Sequence, residues 1–305
     1  MNRRLIQTAV FIVGLVAVAV AFTVTVDDAR DKVLPSAAAF AAAGGLALLA
    51  ILTSGRAWVT LFRDLLATRG HSRRLEANYY LSQLTKYLPA GGVVQAASQV
   101  GLASTAGVSR RRVALAFPVS IIGTAAAGAT LSAGAALVPE LPTWARILSL
   151  VGLAAPALLH RGLMRSVLQF IRRRVQRVPA PDHLPSQRSI LIYYGWALAS
   201  IAATASAYTV LLRSLTTDVN PAIVFCAFAL SWTLGFLVLP LPAGIGVREA
   251  VLIAALPVGA GPLLAASLAQ RLLAIGADVT AAFGSKIVAR RALQGHQVAE
   301  RWELR

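Results

Sequence analysis

The stretch Leu5–Val26, LIQTAVFIVGLVAVAVAFTVTV, runs 22 residues without a charge, directly after Arg3 and Arg4. A cleaved secretory signal has an apolar core of about 7–15 residues, whereas a helix needs about 20 to cross a bilayer. The length therefore predicts an uncleaved membrane anchor. A second apolar run, Pro35 to Thr53, follows almost at once. Between them Asp27-Asp28-Ala29-Arg30-Asp31-Lys32 is net acidic, so by the positive-inside rule the N-terminus is cytoplasmic and this loop faces out.

Outward from this anchor the pattern repeats. Of the 305 residues, 57% are apolar and 13% charged, with a mean hydropathy of +0.68. A soluble domain carries roughly a quarter charged residues, so lipid is the solvent this composition fits. Further apolar runs lie at about Val113 to Val138, Trp144 to Leu159, Ser189 to Leu212, Pro221 to Leu239 and Pro262 to Val288. The expected fold is an all-α polytopic bundle of about 7–8 spans, one integral membrane domain over 1–305. Such a bundle leaves no room for a soluble catalytic domain.

Lys and Arg total 29 against 12 Asp and Glu, a net charge of +17. The basic residues sit between the apolar runs, as in cytoplasmic loops beside anionic headgroups, so the expected partner is membrane lipid and not nucleic acid. Arg56, Arg63, Arg69, Arg73 and Arg74 alternate with Trp58, Val59, Leu61, Phe62, Leu65 and Leu66, which predicts an amphipathic helix on the cytoplasmic surface. The segment 161–188 carries seven arginines against Asp182 and reads as a basic cytoplasmic loop; Glu140 and Asp218 fall on the opposite side. The C-terminal tail, also basic, reads as cytoplasmic. That requires an even number of crossings after Leu241, one of them short, with Gly246 to Pro257 as a tilted short span or one arm of a hairpin. The lone Cys226 excludes an intramolecular disulfide and a thiol metal cluster.

Two places combine helix breakers with charge at membrane depth: Lys86-Tyr87-Leu88-Pro89-Ala90-Gly91-Gly92, and Pro240-Leu241-Pro242-Ala243-Gly244-Ile245-Gly246-Val247-Arg248-Glu249. Both contain Leu-Pro-Ala-Gly, a word short enough to recur by chance in so apolar a chain. Proline lacks an amide donor and glycine admits positive φ, so helices near 86–92 and 240–249 should be broken or re-entrant. Backbone amides left unpaired there must face protein or a wet cavity, and paired broken helices point to a transporter's binding site. The ionised residues at the same depth are Lys86, Arg248, Glu249, Arg271 and Asp278. A buried Arg or Asp costs roughly 2.5–3.5 kcal/mol on insertion scales, so they should turn inward. Arg271 and Asp278 share one helix face about 10 Å apart, too far to touch. Each needs another partner, and Arg248 and Glu249 are the nearest candidates in sequence. A salt bridge that merely fixes helix packing is the simpler alternative.

These two segments resemble the lysylphosphatidylglycerol synthase transmembrane-region family, whose members carry Lys-Tyr-aliphatic-Pro-Gly and, later, Pro-Gly-Gly-aliphatic-Gly-x-x-Glu. Lys86, Tyr87, Leu88 and Pro89 match the first, with Ala90 in place of glycine. Pro242, Gly244, Ile245, Gly246 and Glu249 match the second, with Ala243 in place of the first glycine. Arg271 would supply the arginine of a late helix. The resemblance implies a flippase-like domain of the bacterial cytoplasmic membrane that handles lipids, here without the soluble transferase domain. Candidate substrate-binding residues are therefore Lys86, Tyr87, Pro89, Gly91, Gly92, Pro242, Gly244, Gly246, Arg248, Glu249, Arg271 and Asp278. The substrate expected is a phospholipid or polyprenyl-phosphate-linked lipid, with the cations facing its phosphate.

A second class of function is a noncatalytic membrane subunit that recruits a soluble or membrane transferase, such as a glycosyltransferase, through the 161–188 loop. A third, an intramembrane enzyme, rests on Asp27-Asp28-x-x-Asp31, the spacing that holds magnesium on a diphosphate; the acidity of an outer loop already accounts for it. His71, His160, His183 and His296 are scattered, with no metal-ligand spacing, and the Gly pairs lack the context of nucleotide loops. No catalytic residue, metal or cofactor is expected, and transport would be passive or coupled to an ion gradient.

Overall fold

The computed structural model describes residues 34–63, 69–87, 91–103, 107–174, 180, 184–217, 219–237 and 246–303, with the backbone alone at 69–71, 91–92, 103 and 286–303. The first apolar run, the Asp27–Asp31 cluster, Pro89, Pro242 and Gly244 lie outside these residues. Everything regular among the described residues is helical: α1 Ala37–Thr60, α2 Arg69–Gln83, α3 Gly91–Ala103, α4 Arg110–Ser132, α5 Thr143–Ala154, α6 Arg161–Arg174, α7 Gln187–Leu215, α8 Pro221–Leu237, α9 Val247–Ala255 and α10 Ala260–Glu303. Short 3₁₀ turns extend α2 through Leu84–Tyr87, α4 through Ala133–Leu137 and α5 through Ala155–Leu159.

Four stretches are long and apolar enough to cross a membrane: α1, α4 with its 3₁₀ turn, α7, and Ala260–Ser285 of α10. Thr143–Leu159 rises about 28 Å, close to the ~30 Å hydrocarbon thickness, and α6 then turns away from it by 99°. The 17 residues of α8 reach about 26 Å. With Leu5–Val26 the chain holds seven apolar stretches of this kind, at the lower edge of the expected number.

Small residues and hydroxyls close the bundle. α1 packs along α7, where the Ser200 hydroxyl donates to the Ala50 carbonyl and meets the Ser54 hydroxyl, both at 2.8 Å. In lipid, such interhelical hydrogen bonds and close backbone approach replace the hydrophobic drive of a soluble core. Tyr208 of α7 stacks on Phe228 of α8 at 4.7 Å and donates to the Leu263 carbonyl of α10 at 3.2 Å, fastening three helices at one point.

Two expectations are corrected, and one pair of alternatives is narrowed. Trp58, Leu61 and Phe62 are not on a lipid-facing surface helix. Arg56 to Thr60 continue α1, and the three side chains are 1–3% exposed, in the same core cluster as Val113 of α4 and Met164 of α6. The basic loop is a helix over its first half, because Met164 and Leu168, one turn apart, bury on the bundle. Finally, α9 has nine residues and rises about 14 Å, so it is no tilted span in its own right. It packs on α8 and α10 as a short arm. The basic tail, in turn, is helical backbone continuous with α10.

Candidate functional site

Both predicted interruptions are present as helix ends. α2 tightens into the 3₁₀ turn carrying Lys86 and Tyr87, and α3 starts afresh at Gly91 and Gly92; α8 stops at Leu237, and α9 starts after Gly246. Gly246 has φ +87°, a left-handed conformation that only glycine adopts without strain. Its amide points at the first turn of α9 and donates to Glu249 Oε2 at 2.9 Å. Half a capping box thus fixes the carboxylate.

α10 brings the two segments together. Arg271 donates through Nη2 (2.8 Å) and Nε (3.3 Å) to Glu249 Oε1, so this carboxylate uses both oxygens. Two turns further along the same face, Asp278 accepts the Tyr87 hydroxyl at 2.5 Å and pairs with Lys86 Nζ at 2.7 Å. The Asp278 side chain is 4% exposed and that of Glu249 11%. Carboxylates this far from water remain charged only when paired and hydrogen-bonded. One helix therefore holds the second motif at its Arg271 and the first at its Asp278. Arg271 and Asp278 lie on one face of α10 two turns apart, which joins the two pairs into one polar niche.

Arg248 differs from the other cations. Its guanidinium lies 5.8 Å from the Phe228 ring and 5.7 Å from that of Trp232, one turn apart on α8. Its buried Nε has no hydrogen-bond partner among the described residues. Aromatic faces attract a cation but leave its N–H donors unused. Five ionised groups thus share the niche, three cations against two carboxylates, with Arg248 the cation in excess.

Of the sequence candidates, Lys86, Tyr87, Gly246, Arg248, Glu249, Arg271 and Asp278 converge. Gly91 and Gly92 open α3 directly behind the first motif, while Pro89, Pro242 and Gly244 lie outside the described residues. Glu249 is the partner of Arg271, as sequence proximity suggested. Asp278 finds its partners in the first motif and not in Arg248. Phe228 and Trp232, which flank Arg248, were not among the candidates. Their only sequence signal is an aromatic pair at i, i+4 in the span before the second break. Gln83, whose Oε1 accepts from Lys86 Nζ at 3.5 Å, left no signal beyond its place one turn before the lysine.

No curated protein matches the chain. A family model does: that of the lysylphosphatidylglycerol synthase TM region, which aligns with residues 4–281. The aligned stretch takes in both broken-helix segments and the two charged residues of α10 that clasp them. By that match over nearly its whole length, the chain belongs to the lysylphosphatidylglycerol synthase transmembrane-region family, and is a multi-pass membrane protein.

Proposed function

We propose that this protein binds the phosphate of a lipid headgroup, on a phospholipid or a polyprenyl-phosphate-linked lipid, in the niche between the two broken segments and moves it between leaflets. The observation that supports this reading is Arg248, a guanidinium against Phe228 and Trp232 whose buried Nε has no hydrogen-bond partner and which forms no ion pair with a carboxylate among the described residues. Burying an uncompensated cation is costly, and a phosphodiester supplies the missing charge and acceptors in a geometry arginine fits. Glu249 and Asp278 hold Arg271 and Lys86 in place; with both Glu249 oxygens engaged, contact with a cationic headgroup is secondary. The membrane is the bacterial cytoplasmic membrane, and movement is passive or coupled to an ion gradient.

The test is translocation of fluorescent and aminoacylated phosphatidylglycerol in reconstituted vesicles. Arg248→Ala and Arg271→Ala should slow it at least about tenfold, the effect of losing one charge-assisted contact of roughly 1.4 kcal/mol or more. Glu249→Gln should slow it as well by releasing Arg271. Wild-type rates in variants that melt like the parent would refute the site.

A further inference from the structure

The niche leaves α6 unused, although this helix carries five arginines and no acid in fourteen residues, RGLMRSVLQFIRRR. Its faces are sorted. Met164 and Leu168 are fully buried in the core cluster that contains Trp58, Leu61 and Phe62. Leu163 and Phe170, seven residues apart and so on one line, are 42% and 60% exposed. Arg165 and Arg172, also seven apart and both exposed, lie about 160° around the helix from that line. The buried face sits between the two. Arg174 reaches back one turn to place its guanidinium 5.8 Å from the Phe170 ring.

The orientation of α6 gives this sorting a meaning. Thr143–Leu159 is apolar outward, with Ile147, Val151 and Leu153 each more than 60% exposed, as a lipid-facing span is. A 99° bend from such a span lays α6 along the membrane surface. With one face against the bundle, a helix in that plane has one flank toward acyl chains and the other toward water. In that placement the exposed Leu163–Phe170 line is the flank toward acyl chains and the Arg165–Arg172 line the flank toward the headgroups. The alternation of spans puts Arg110, Arg111 and Arg112, at the start of α4, and Arg188, at the start of α7, on the same side.

We propose that α6 is an in-plane interfacial helix that grips anionic phospholipid headgroups with Arg165, Arg172 and Arg173 while Leu163 and Phe170 enter the acyl layer. An acidic soluble protein would match the arginines, but not an exposed phenylalanine and leucine on the opposite flank of the helix. Arg161 is left out of the grip because its guanidinium donates to the Leu184 carbonyl at 3.2 Å and its amide to Gln187 Oε1 at 3.0 Å.

The test uses the full chain with Cys226→Ser, in nanodiscs of phosphatidylcholine with or without phosphatidylglycerol. A fluorophore on Phe170→Cys should be quenched by lipids bearing a nitroxide high on the acyl chain, and one on the exposed Gln169→Cys by aqueous iodide. Electron spin resonance of spin-labelled lipids should show the boundary layer preferring phosphatidylglycerol over phosphatidylcholine. Joint replacement of Arg165, Arg172 and Arg173 by Gln should cut that preference about threefold or more, and their replacement by Lys should keep most of it. Iodide quenching without nitroxide quenching at Phe170→Cys would place α6 in water and favour a protein partner. An unchanged lipid preference in the Gln variant would show that the arginines hold no headgroups. Either result overturns the proposal, and all labelled positions lie on the surface, away from the core contacts.

Discussion

Glu249 spends one oxygen on the amide of Gly246 and the other on Arg271, so removing the arginine strands a carboxylate that is 11% exposed. Breaking one partner of a buried pair costs about 3–5 kcal/mol, whereas removing both leaves no orphan charge. Arg271→Met should therefore lower the melting temperature in detergent markedly. Arg271→Met with Glu249→Leu should lose less than the sum of the single variants by at least about 1 kcal/mol; strict additivity would show the pair to be uncoupled. At this scale the sequence told half the story. Charge at membrane depth was enough to say that Arg271 and Asp278 turn inward, and the nearness of Glu249 to name one partner. The bond between Tyr87 and Asp278 spans 191 positions, and helical periodicity reports which face a residue occupies, not which distant turn lies opposite. Arg248 shows the same limit, since nothing in its local pattern distinguishes a guanidinium seated on two rings from one paired with an acid.

Helix pairs in this bundle approach as closely as their smallest residues permit. At Gly152 of α5 a Cβ would stand 1.9 Å from the Ala129 carbonyl oxygen of α4, so backbone lies against backbone. Gly152→Ala has to separate the helices and should destabilise by about 1–3 kcal/mol, as overpacking does. Gly45→Ala in α1 meets nothing within 4 Å and should be neutral or raise stability by up to about 1 kcal/mol through helix propensity. Parallel thermal melts decide; equal losses at both glycines would mean that the close approach at Gly152 is not what matters. Apolar length made α4, α7, α8 and the membrane part of α10 legible to within a few residues. It misled at α1, where arginines at helical spacing disguised Trp58, Leu61 and Phe62 as surface, because periodicity cannot tell burial against lipid from burial against protein. In α6 the density of arginine hid the Met164–Leu168 stripe that makes it a helix.

For the molecule as a whole, the basic residues beside the spans carry the expectation of which side each connection faces. On the expectation that α6 is cytoplasmic and the turn between α4 and α5 external, a membrane-impermeant maleimide on intact cells should modify Glu140→Cys and spare Ser166→Cys, both in the Cys226→Ser background. Inverted vesicles should give the opposite result, and labelling of Ser166→Cys in intact cells would reverse the assignment. Both positions are exposed on the protein itself, so protection reports the membrane. The all-helical architecture and its two interruptions were readable from hydropathy, proline and glycine alone, because lipid tolerates few alternatives. The convergence of the interruptions on α10 was not, since it depends on how helices far apart in the chain stack.

α10 carries both clasps on one rigid rod. A slide of that helix along its axis, or a twist about it, would release the partners of Arg271 and Asp278 together, whereas displacement of α9, or of the turn carrying Lys86 and Tyr87, would release one pair and leave the other. In the proposed translocation, a lipid passing from one leaflet to the other would therefore meet two doors hung on a common bolt.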